Sequence, residues 1–139
     1  MALTVPNEGE VVILNRLTNK EAGASLILDL FSSNTTPNNA SVLGDYTLVT
    51  GGGYAANTLA NTDWTVTAGS PSVANTAAKV FTFTSVPANP NVFGYIVHTA
   101  TKIVAVERLP VGVAPFVISA NGESVTITPQ ITCGSVTND

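Results

Sequence analysis

The most constraining feature of this sequence is a side-chain alternation with period two, renewed in short runs about ten residues apart. In SLILDLF, Leu26, Leu28 and Leu30 fall on one side, and Ile27, Asp29 and Phe31 on the other. KVFTFTS sets Val80, Thr82 and Thr84 against Phe81 and Phe83. In VFGYIVH and KIVAVERL, two alternating runs are joined by Thr99-Ala100-Thr101, the pattern of a β-hairpin. Alternation places successive side chains on opposite faces of an extended chain, and it is incompatible with a helical stripe.

Turn-forming residues punctuate these runs. SSNTTPNN, GSPSVANTA and VPANPN read as loops, and Asn121-Gly122 is a strong hairpin dipeptide. DYTLVT (45–50) reads as a short strand or extended edge, broken by GGGY. Weaker strand signals lie at 56–60 and 63–68, and PVGVAPFVI is irregular before a strand-like end. ESVTITPQITC reads as one last long strand with Val125, Ile127, Pro129 and Ile131 on one side. Pro129 has no N–H, so that strand is expected at a sheet edge or to bulge there.

Only the N-terminal segment departs from this pattern. Asn7 with Glu10 three residues on has capping-box spacing, and Glu8 and Glu10 suit the positive end of a helix. The pattern predicts a short helix over 8–19, with Val11, Leu14 and Thr18 on its apolar side and Ile13 and Leu17 beside it. About seven or eight short strands follow. The expected fold is a mostly β, single-domain antiparallel β-sandwich or jelly roll with a short N-terminal helix. The whole chain, 1–139, is expected to form one β domain: 1–7 as a candidate extended arm, 8–19 as the helix, 24–133 as the sandwich. A chain of this length buries roughly 68–70% of its unfolded surface, enough for one core. Leu28, Trp64, Phe81, Phe83, Phe93 and Tyr95 are the expected core residues.

Composition narrows the function. Charged residues make up 10% of the chain, and the net charge is −4 with no basic cluster, so nucleic acid and anionic membranes are unsuited partners. No apolar run approaches the ~18 residues of a membrane span, and MALTVPNEGE lacks the form of a signal peptide. The sequons Asn34-Thr35-Thr36 and Asn39-Ala40-Ser41 therefore read as ordinary loop residues. With one cysteine, Cys133, no internal disulfide can form.

Catalytic motifs are sparse. His98, the single histidine, is expected as a partly exposed residue at a hairpin end. Glu107 and Arg108 are strand neighbours on opposite faces and cannot act as one clamp; simple solvation is expected, and burial or cross-sheet pairing of one of them is the alternative. Asp29, Asp45, Asp63, Glu107 and Glu123 show no pairing motif for glycoside hydrolysis. One His and one Cys give no zinc spacing. Gly51-Gly52-Gly53 lacks the Lys-Ser/Thr of a phosphate loop and reads as a flexible breaker. Cys133 has no basic neighbour to activate its thiol and reads as a small hydrophobe or an exposed bystander. No catalytic, metal or cofactor site is assigned.

The order of segments resembles a group of small structural proteins from the virions of tailed phages that infect aquatic bacteria. VPNEGEVVILNRL, LILDLFSSNTTP, TLANTDWTV, KVFTFTS, VFGYIV, IVAVERLP and NGESVTITPQIT carry the likeness over most of the chain. Members of the group often carry an aromatic residue before the ER pair, where this chain has Ala105-Val106. The resemblance implies a non-enzymatic capsid decoration or cement protein on the virion surface, made in the host cytoplasm, self-associating as a homotrimer and binding the major capsid protein. Leu3, Val5 and Pro6 are the candidate subunit or capsid interface: they either reach a neighbour as an arm or fold onto their own sheet. A glycan-binding tail or fibre module is the alternative reading. A small hydrolase built on His98 or two carboxylates is the third.

Overall fold

The computed structural model describes residues 3–17, 23, 25–69 and 72–133. The chain is mostly β with antiparallel sheets and one short N-terminal helix. The central sheet has the order β2-β1-β7-β8, from β1 (Leu26–Phe31), β2 (Asn57–Leu59), β7 (Gly94–His98) and β8 (Ile103–Arg108). β3 (Trp64–Thr67) and β4 (Ser72–Thr76) join β11 (Gln130–Cys133) in the order β11-β4-β3. β5 (Lys79–Thr82) pairs with β10 (Ser124–Ile127), and β6 (Asn91–Val92) with β9 (Phe116–Val117). These antiparallel ladders are compatible with a sandwich or jelly roll.

The central sheet follows directly from its alternation. Leu28 opposes Val97 and Leu30 opposes Tyr95, and this side joins Phe81, Phe83, Val92, Ile118 and Ile127 in the larger core. The opposite side carries Phe31, Ile96 and Val106, packed with Tyr46 and Ile103 in a second cluster. Because both sides are covered, every residue of β7 is buried. Gly94 is required there, since a Cβ would lie 2.2 Å from the Glu107 carbonyl oxygen and 2.6 Å from Phe31 Cζ.

The helix α1 (Asn7–Leu17) begins one residue before the predicted start; its predicted end, 18–19, lies outside the described residues. Its buried face differs from the predicted one. Val12 is 1% exposed, whereas Val11, Ile13 and Leu14 are exposed. The physical reason is Gly9: an added Cβ there would sit 2.2 Å from the Val104 carbonyl oxygen, so the helix lies with its Gly9 side on β8. Residue 12, one turn on, follows it inward.

Residues 3–6 do not reach away as an arm. Thr4 forms an antiparallel bridge with Val106, with N–H···O distances of 2.9 Å in both directions. Pro6 is buried, and Leu3 and Val5 pack against the larger core. The Glu8 carboxylate accepts the Ile103 N–H at 3.1 Å, further along β8. The N-terminal segment thus covers the outer edge of β8, where unpaired backbone groups would otherwise invite another chain.

Four other expectations change. Residues 72–76 form a strand despite their turn-like composition, because β4 is bonded on both sides, to β3 and β11. The last long strand is two. Pro129 stands at a corner: residues before it pair with β5 and residues after it with β4. Its carbonyl still accepts the Thr76 N–H at 3.2 Å, so only the missing donor interrupts the ladder. The strand count rises from the expected seven or eight to eleven among the described residues. Gly51-Gly52-Gly53 is a packed turn with φ of 81°, 63° and 74°, not a loose breaker. Gly52 carbonyl oxygen accepts the Thr84 and Ser85 N–H groups at 2.8 and 3.2 Å. At Gly53 a Cβ would meet Thr84 Oγ1 at 2.1 Å.

Candidate functional site

Two groupings of ionisable side chains emerge, one sealed inside the fold and one in a cleft. The sealed one begins with the glycine turn. It delivers Tyr54 onto the edge of β1, where the ring stacks on Phe81 and Phe83 at centroid distances of 5.5 Å each. β2 covers β1 only as far as Leu28, so the Leu30 N–H beyond it needs another acceptor. The Tyr54 hydroxyl oxygen accepts that N–H at 2.7 Å and donates its own hydrogen to Asp29 Oδ1. Burial, then the hydrogen bond to the Asp29 carboxylate and its charge, raise the Tyr54 pKa well above the ordinary phenol value.

Asp29 meets His98 through strand register. β1 and β7 pair Ile27 with His98 and Asp29 with Ile96, which makes Asp29 and His98 diagonal neighbours on one side of the sheet. Their Oδ2 and Nε2 atoms are 3.5 Å apart. On its other flank, His98 Nδ1 lies 2.6 Å from the Thr99 carbonyl oxygen. A carbonyl can only accept, so Nδ1 carries a proton. Nε2 makes no hydrogen bond among the described residues and faces the Asp29 carboxylate.

The expectation of a partly exposed His98 is therefore corrected: it is 5% exposed and Asp29 is 7%. The β-bulge between Val97 and His98 and the turn through Thr99 fold the strand end inward. Neither His98 nor Asp29 lines the cleft beside Glu107 or the one beside Trp64. The Tyr54–Asp29–His98 chain has the residue types of a proton relay, but a reacting group would have to enter the packed interior to use it. Its direct physical effect is to fix three segments against one another.

The second grouping lies on the other side of the central sheet. Tyr95 opposes Glu107 across β7 and β8 and donates its hydroxyl hydrogen to Glu107 Oε2. Burial, then that bond and the carboxylate charge, raise the Tyr95 pKa above its ordinary value. Both residues line a cleft of about 340 Å³ between the N-terminal segment (Leu3, Val5) and β11 (Gln130, Ile131).

Glu107 and Arg108 do point to opposite sides, but neither is simply solvated. Arg108 lies 5.1 Å over the Phe93 ring and donates to Thr35 O at 3.2 Å and Asn34 Oδ1 at 2.5 Å. The sequence hides these partners because they stand more than seventy residues away along the chain.

Of the expected core residues, Leu28, Phe81, Phe83 and Tyr95 are buried. Phe93 and Trp64 are half-buried at the rim of the core. Trp64 also lines a wider cleft of about 620 Å³ with Leu26, Leu59 and Arg16. Sequence reasoning missed Tyr54 and the Asp29–His98 pairing. The available signals were a tyrosine directly after three glycines and an Asp and a His on alternating runs of matching length. The side chain of Cys133 lies outside the described residues.

No group of three or more His, Cys, Asp or Glu suited to a metal ion occurs among the described residues. Comparison with protein-family models, curated proteins and solved structures finds no match to this chain.

Proposed function

We propose that this protein is a non-enzymatic structural component of a tailed-phage particle. In this reading it is a decoration or cement protein of sandwich or jelly-roll type that binds the outer capsid. The observation that carries the reading is a set of aliphatic side chains held in water on ordered backbone. Val111 is fully exposed at the tip of a turn closed by Val113 and Ala114 N–H bonds to the Pro110 carbonyl, at 2.9 and 3.0 Å. Val66 is 74% exposed and Val80 54%, each on a strand.

Burying one such side chain contributes about 1.5–3 kcal/mol. Repeated over many copies on a shell, weak single contacts become strong attachment. A surface poor in charge limits both desolvation cost and mutual repulsion when copies pack closely. The segment order that resembles small virion proteins points the same way. The partners are then the major capsid protein and further copies of this chain in a homotrimer, and the location is the particle surface after synthesis in the host cytoplasm.

The test is protein analysis and density mapping of purified virions. The protein should occur there in many copies on the outer shell. Purified Val111→Asp protein should fold normally and bind particles more weakly. Absence from purified virions overturns the reading.

A further inference from the structure

We infer that the cleft beside Glu107 receives an arginine or lysine side chain of a partner protein. Glu107 is half-buried, and one of its carboxylate oxygens accepts the Tyr95 hydroxyl. Among the described residues it forms no ion pair; the two present join Lys79 to Asp63 and His98 to Asp29. A carboxylate partly withdrawn from water, with one hydroxyl on one oxygen and no cation beside it, has lost solvation that the fold replaces only in part. A guanidinium or ammonium group at its remaining oxygen supplies that replacement.

The rest of the cleft fits the rest of such a side chain. Leu3, Val5 and Ile131 provide aliphatic walls, the surface along which arginine and lysine stems pack. Thr128, Gln130 and Thr132 also line the cleft and make its rim polar. The volume of about 340 Å³ is at the small end for a ligand site. The net charge of −4 favours approach of a cation.

Free diamines and amino acids fit less well. Among the described residues, Glu107 is the only ionisable carboxylate lining the cleft, and no cationic side chain lines it. The second charged end of a small molecule would be unmatched, whereas a side chain has its other end in its own protein. The inference goes beyond the virion reading and stands or falls separately from it.

Titration of the ¹⁵N-labelled full chain with N-acetyl-arginine amide, followed by amide chemical shifts, tests the site. Expected are saturable shifts centred on Val5, Glu107 and Ile131. They should be absent with the neutral citrulline analogue and weakened about tenfold or more in Glu107→Gln. Glutamine keeps an acceptor for the Tyr95 hydroxyl, so this variant preserves the internal bond. If it fails to fold, Glu107→Asp withdraws the carboxylate by one methylene and should weaken binding severalfold. Shifts centred elsewhere, equal binding of citrulline, or no loss in the folded variant overturn the inference. Agmatine binding as tightly as capped arginine would assign the site to a small cation and overturn the partner-protein assignment.

Discussion

The Tyr54 hydroxyl holds Asp29 and the Leu30 backbone at once, donating to the carboxylate and accepting the N–H at 2.7 Å. That N–H also reaches Asp29 Oδ1 at 3.1 Å, so the hydroxyl is the nearer of its two acceptors at the edge of β1 and at the same time a donor to the buried carboxylate. Tyr54→Phe removes only that atom and leaves the stacking on Phe81 and Phe83 in place. The expected loss is about 2 kcal/mol, read as a lower urea midpoint with an unchanged slope.

Alkaline stability should follow from all three tyrosines. The pKa values of Tyr46, Tyr54 and Tyr95 are raised in the fold, chiefly by burial. Below an unfolded phenol pKa of about 10, both states hold the proton and pH has no effect through these groups. Above it the unfolded chain releases protons that the folded chain keeps, so stability falls as pH rises. Phenolate absorbance should therefore appear together with loss of tertiary circular dichroism, not before it. A phenol that titrates in the intact fold near its ordinary value would contradict this.

The N-terminal bridge gives a backbone test. Thr4→Pro deletes the N–H that bonds Val106 O at 2.9 Å. Stability should drop by about 1–3 kcal/mol, the cost of a buried acceptor left unpaired. The uncovered β8 edge should also raise concentration-dependent association, measured by light scattering.

Gly94→Ala probes close packing at the centre of the sheet. The new methyl would press on both the Glu107 backbone and the Phe31 ring. Destabilisation of about 3 kcal/mol is expected, from forced shifts in a filled core. The same change at Gly44, where no atom lies within 4 Å of an added Cβ, should be nearly silent.

Much of the architecture was legible because alternation is a local signal. β1, β5, β7 and β8 stand where Leu28, Phe81, Tyr95 and their alternating neighbours indicated. The segment at 72–76 was illegible because its bonds come from two distant strands, and a turn-like composition outweighed them on paper. The helix face failed for a related reason. Intrinsic periodicity suggested Val11 and Leu14, but the close approach of Gly9 to β8 set the rotation of the helix. His98 shows the same limit at the candidate site. Its burial depends on a bulge and on register with Asp29, neither of which is marked by the residues themselves. Arg108 and Glu107 were placed on the correct opposite sides, since that needs only the period of the strand.

The corner at Pro129 ties together two ladders that otherwise share no strand. Val125 is registered with Phe81, and six residues later Ile131 is registered with Ala74. Peeling this segment from either partner drags on the other. Amide hydrogens on the two sides of the proline should therefore exchange with solvent in one concerted opening, making residues 124–133 a latch across both ladders.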